Sequence, residues 1–147
     1  MKQHCSNAEK TVEYLSKHKN VARVIYPTKY DGEIGKRAKK YLKGGYGALI
    51  GIELKGGIEA GKKFIEALKM FYHVANIGDA RSLAIHPGST THSQLNEKEL
   101  LAAGVTPGYV RLAIGIEHID DIIEDLEQAL NRTSHNIENI KKAKAVG

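Results

Sequence analysis

Tyr109-Val-Arg-Leu-Ala-Ile-Gly-Ile116 is the stretch on which the fold turns. Strand alternation sends Val110, Leu112, Ile114 and Ile116 to one side and Tyr109, Arg111, Ala113 and Gly115 to the other. The first side is expected to be core. The second carries Arg111, in a segment (residues 70–130) that holds three cations against nine acids. An arginine so placed needs an anionic partner. Its planar guanidinium suits two-pronged recognition of a carboxylate or phosphate, and Ala113 and Gly115 are expected to leave room beside it. The alternative is an internal salt bridge to a nearby acid.

Outward from this strand, Ile119, Ile122, Ile123, Leu126 and Leu130 make one apolar helical stripe over about 119–130, with Asp120 and Asp121 at its positive N-terminal end. Before the strand, Asn96 and Glu99 form a capping-box pattern for a short helix that Gly104 can end. Further upstream the spacing predicts helices over 4–18, 33–43 and 57–69 and strands over 21–26, 48–54, 71–75 and 81–86. The order α-β-α-β-α-β-β-α-β-α places the fold in the α/β (α+β) class, helices covering a mixed or antiparallel sheet.

The chain has 147 residues, 41% hydrophobic and 27% charged, enough for one domain with its own core. Its single cysteine, Cys5, excludes an intramolecular disulfide and a Cys-rich zinc site, and a cytoplasmic setting is expected. No apolar run approaches the roughly 20 residues of a membrane-spanning helix, so no membrane partner is expected. Net charge is +5, but it alternates: about +8 over residues 1–69, −6 over 70–130 and +3 over 131–147. That leaves a continuous basic face possible in the first half only. Lys43-Gly-Gly-Tyr-Gly-Ala-Leu-Ile50 has a partial likeness to an RNA-binding consensus, but Ala48 and Ile50 stand where stacking aromatics would be needed. No nucleic-acid partner is expected.

Asn76 to His92 gathers small polar residues and two histidines around Pro87-Gly88, a composition that fits a ligand-facing loop. His86 and His92 lack a metal-ligand spacing, so no metal site is expected and hydrogen-bonded histidines are the better reading. Ser82, Ser89 and Ser93 lie outside any nucleophile elbow, which argues against a hydrolase.

Asn76-Ile-Gly-Asp-Ala-Arg-Ser-Leu83, His86-Pro-Gly-Ser-Thr-Thr-His-Ser-Gln-Leu95 and Tyr109-Val-Arg-Leu-Ala-Ile-Gly-Ile-Glu117 with the helix after it resemble the C-terminal domain of the Cys/Met-metabolism family of pyridoxal-phosphate (PLP) enzymes, most closely its O-acetylhomoserine sulfhydrylase branch. The resemblance covers about residues 4–130. It implies the small C-terminal domain of the fold-type I PLP-dependent transferase fold over residues 1–130, with residues 1–18 the remnant of an interdomain helix; it leaves 131–147, a polar basic tail by composition, either a weak helix or loose chain. It implies that Arg111 grips the substrate α-carboxylate, that Asn76 stands where many relatives have a serine contacting the substrate, and that Thr91 lines the same pocket. Asn76 and Arg81 distinguish this chain from the lyases.

The complete enzyme would carry PLP on a lysine of a large domain and replace the acetate of O-acetyl-L-homoserine by sulfide or a thiol. No lysine motif, Gly-rich phosphate turn or pyridine-pairing aspartate of that kind stands in this sequence. The chain alone is therefore expected to be inactive, to bind no PLP, to lack its large-domain partner and to form a homo-oligomer. The other function class compatible with the sequence is a stand-alone ferredoxin-like binding module for RNA or a small anion.

Overall fold

The computed structural model describes residues 1–91 and 93–144; for Glu97 and residues 134–144 it describes the backbone only. Helix α1 (Lys2–Leu15) buries a stripe of Cys5, Ala8, Val12 and Leu15 together with Asn7 and Thr11. Strand β1 (Val21–Ile25) runs into a single 3-10 turn at Pro27–Lys29 and then α2 (Gly32–Tyr41), of which only Gly35 is buried. Strand β2 (Leu49–Leu54) leads through Gly56 and Gly57, both at positive φ, into α3 (Gly57–Ala67). The short strands β3 (Tyr72–His73) and β4 (Leu83–Ile85) follow. Helix α4 (Glu97–Ala102) starts with the capping box its sequence predicts, Asn96 accepting from the Glu99 amide while Glu99 accepts from that of Asn96. Strand β5 (Tyr109–Ala113) and α5 (Ile119–Lys144) complete the chain.

The order of helices and strands is the expected one. Most boundaries fall within about three residues of the expected ones, and two of the differences matter for the site or the core. Strand β5 ends at Ala113 rather than 116, because Ile114 and Gly115 turn their backbone groups to other segments: the Ile114 carbonyl pairs with His4 and the Gly115 carbonyl accepts from Asn7. Ile116 is therefore 51% exposed instead of joining the core. Helix α5 does not stop near Leu130 but continues to Lys144, with no glycine or proline in that stretch to break it. Thr133 is still buried in it.

The five strands form one mixed sheet in the order β1-β2-β5-β4-β3, antiparallel throughout except for the parallel β3/β4 pair. This five-stranded order departs from the β-α-β-β-α-β plan of a ferredoxin-like module. Val110, Leu112 and Ile114 point with Ile50 and Ile52 into a core closed by Leu15, Phe64, Ile122, Leu126 and Leu130 of α1, α3 and α5. Burial of Ile50 removes the position an RNA-stacking residue would occupy. On the opposite face, cross-strand register sets Ile25, Gly51, Arg111 and Ile85 in one row across β1, β2, β5 and β4. That face is where α2 stands, at a distance that leaves a groove beneath it.

Candidate functional site

Arg111 emerges half-buried at the middle of β5. Its Nη2 donates to the main-chain carbonyl of Asn76 at 3.2 Å, and its Nε is buried with no hydrogen-bond partner. Among the described residues no carboxylate lies within ion-pair distance of it. The internal salt bridge that would have given Arg111 a purely structural role is thus not made. A buried guanidinium donor without a partner costs stability, and a carboxylate ligand would relieve that cost.

The space beside Arg111 is not where the sequence suggested. Ala113 is buried, and a Cβ on Gly115 would lie 2.4 Å from the Ala80 carbonyl, so the 80–82 segment closes that side. The opening lies instead beneath α2, beside the Tyr109 ring that covers Gly51, the register partner of Arg111. Gly51 has no room for a side chain because the Tyr109 ring would meet its Cβ at 2.7 Å. Burial pushes the Tyr109 phenol above its usual pKa, while the charge of Arg111 pulls it the other way.

The loop bearing Asn76 is exposed and fixed at both ends. Asp79 accepts from the Arg81 amide and from its guanidinium at 2.9–3.2 Å, and the Arg81 guanidinium lies 4.3 Å from the centre of the Tyr72 ring. The hydrogen bonds of Arg81 hold Asp79 below the usual carboxylate range. At the far end Glu117 accepts from the Ser82 amide and hydroxyl, and Ser82 Oγ in turn accepts from the Gly115 amide. Asn7 of α1 donates to the carbonyls of Gly115 and Glu117, tying the first helix to the same corner. Sequence reasoning missed Glu117, Ser82 and Asn7 as the frame of the site. The signal for Glu117 was its place at the close of the Tyr109–Glu117 motif.

Asn76 and Arg111 are thus brought together, through the Asn76 main chain; the Asn76 side chain accepts from the Ile77 amide. Thr91 is exposed, just beyond the turn at Pro87–Ser89 that follows Ile85, the register partner of Arg111. His86 is fully buried. The Pro107 carbonyl can only accept, so His86 Nε2 donates to it and Nδ1 accepts from the Ser89 hydroxyl, both at 2.8 Å. Burial holds its pKa below the usual value. Both ring nitrogens being used, His86 is a structural histidine, and no metal-binding cluster occurs among the described residues. His92 lies outside them.

The described residues offer no shielded lysine on which PLP could be held. Imine chemistry needs a lysine shielded from water, and of the lysines whose side chains are described all are exposed except the half-buried Lys63. The one buried aspartate, Asp125, is already occupied by the amides of Lys69, Met70 and Phe71.

These elements make a small α/β domain, a helix-backed mixed sheet whose open face carries an arginine with no ion-pair partner among the described residues. Over residues 1–131 the chain matches the model of the Cys/Met metabolism PLP-dependent enzymes, and it belongs to that family. It is 53% identical over 131 residues to an O-acetyl-L-homoserine sulfhydrylase from Leptospira meyeri, covering 88% of this chain and 30% of the relative. A homocysteine synthase from Schizosaccharomyces pombe is 48% identical over 130 residues. Among solved structures, a Campylobacter jejuni protein described as an O-acetylhomoserine (thiol)-lyase, carrying a pyridoxyl-lysine monophosphate, superposes with TM-score 0.79 at 42% identity over 88% of this chain and 31% of that one. A cystathionine γ-synthase from Xanthomonas oryzae gives TM-score 0.78 at 33% identity over 90% and 34%. The chain spans about 30% of the length of the curated relatives it matches. No helix among the described residues is long and apolar enough to cross a membrane.

Proposed function

We propose that this chain is the substrate-carboxylate-binding C-terminal domain of an O-acetylhomoserine sulfhydrylase-like enzyme, in which acetate on the γ-carbon of O-acetyl-L-homoserine is replaced by sulfide or a thiol. The observation that carries the reading is the Arg111 guanidinium, half-buried, held by the Asn76 carbonyl, unpaired with any described acid and retaining an unpartnered Nε. Two parallel N–H donors at that position match a carboxylate and would fix the orientation of the amino acid. The Asn76 loop, pinned by Asp79–Arg81 and Ser82–Glu117, would form the wall beside it, and Thr91 would line the same pocket, as in the family resemblance. The lysine and phosphate site of the cofactor would come from residues outside this chain, which alone would be inactive. Similarity to sulfhydrylases supports the acyl-homoserine substrate class.

The test joins this chain to the large domain of a family relative. The hybrid should convert O-acetyl-L-homoserine and sulfide to homocysteine, whereas this chain mixed with PLP should not. In the hybrid, Arg111→Ala should raise KM at least tenfold with PLP still bound, about the 1.5–3 kcal/mol of a charged hydrogen-bonded contact. An unchanged KM would remove Arg111 from the substrate site, and turnover by this chain alone would overturn its reading as a binding domain.

A further inference from the structure

We propose that the groove between α2 and the open face of the sheet binds a monocarboxylate with an apolar body, its carboxylate on Arg111 and its chain against Ile34, Ala38 and Leu42. The proposal rests on the carboxylate reading of Arg111 and adds a second ligand class that the same guanidinium would hold.

Ile34 and Ala38 of α2 and Leu42, the residue that caps it, recur every four residues and form one stripe. Such a stripe normally closes onto its sheet. Here it lines an open cavity of about 520 Å³, and Ile34 remains 58% exposed, Leu42 41% and Leu49, across the gap on β2, 43%. That volume lies in the range of small-molecule sites, which are mostly apolar with a few placed polar groups. The polar groups here have one sign. Arg111 and Arg37 both line the cavity, no acid does, and neither arginine has an ion-pair partner among the described residues. A small hydrophilic anion would satisfy the guanidinium but leave the apolar stripe wet. An uncharged apolar molecule would cover the stripe but leave the buried Arg111 Nε without an acceptor. An amphiphilic carboxylate meets both requirements. Tyr109, whose ring lies over Gly51 opposite Arg111 in the sheet, lines the same cavity between the two halves.

The test is a two-dimensional amide NMR titration of the full chain with octanoate, acetate and 1-octanol, octanoate being kept below its micelle concentration. Octanoate should shift the amides of Ile34, Leu42 and Arg111 saturably. It should bind about thirtyfold or more tighter than acetate, as covering half of its additional methylenes would give. Arg111→Gln should weaken octanoate at least tenfold and Arg37→Gln about twofold to threefold. Ile34→Asp, at an exposed position, should weaken octanoate at least fivefold and leave acetate unchanged. Octanol binding as tightly as octanoate, acetate matching octanoate, or an Ile34→Asp variant with undiminished octanoate affinity would overturn the groove while leaving Arg111 as a carboxylate site. Equal carboxylate binding by wild type and Arg111→Gln would overturn both. Dimerisation in sedimentation that Ile34→Asp abolishes, with no octanoate response, would assign the groove to a second copy and overturn the ligand.

Discussion

The carboxylate of Glu117 grips Ser82 twice, accepting from its amide at 2.6 Å and from its hydroxyl at 2.9 Å, while the same hydroxyl oxygen accepts from the Gly115 amide. Residues 35 positions apart thereby weld the loop that carries Asn76 to the end of the strand that carries Arg111. Ser82→Ala should cost about 1–3 kcal/mol, since it removes a fully buried hydroxyl with two partners. Urea unfolding checks this. Combining it with Glu117→Gln should cost less than the sum of the two single changes, because both act on one network.

Asp125 serves the opposite end of the core. It accepts from three successive amides, Lys69, Met70 and Phe71, just past α3, and from Gln128. Asp125→Ala should destabilise by about 2–3 kcal/mol by stranding those donors, and Asp125→Asn, which keeps one acceptor, by less. The comparison of midpoints at constant denaturant slope separates the two.

Gly61 sits mid-helix, where alanine would ordinarily gain about 1 kcal/mol. A Cβ there would come within 2.4 Å of His86 Nε2, the atom that donates to Pro107. Gly61→Ala should therefore destabilise despite the helix gain, and His86 should lose its Pro107 bond, visible as a shift in its ring NMR signals.

The pH dependence follows from two histidines. Burial lowers the pKa of His86 and, with help from Lys19, of His18. A histidine whose folded pKa lies below its unfolded value of about 6.5 leaves the unfolded state holding more protons in acid. Stability should hence be flat from about pH 7 to about 9, below the range where the buried tyrosines titrate, and fall as pH drops through 6.5. His86→Gln should start less stable and show a shallower acid limb in thermal unfolding across that range.

Local signals were legible in the sequence. Alternation placed Arg111 off the core, and the Asn96–Glu99 pair announced α4 at the residue where it begins. What stayed hidden is long-range. The Asn76 carbonyl meets Arg111 through a main-chain group that any residue would supply, and the Ser82–Glu117 bond joins two loop residues with no shared periodicity. Gly115 reads as open space but is packed under Ala80, because a glycine marks close approach and free volume alike. The stretch 131–144 reads by polarity as either a weak helix or a loose tail, and with nothing in it to break the helix that precedes it, it is helix.

The role of Arg111 is tested most directly at its own Nε. In arginine-side-chain NMR of this chain, titration with O-acetyl-L-homoserine should move the Arg111 Nε–H signal saturably downfield as the donor acquires its acceptor, while the methyl ester of the same compound should bind at least tenfold more weakly. An Nε–H signal that stays in place, or an ester that matches the free acid, would contradict the assignment of Arg111 to the substrate carboxylate.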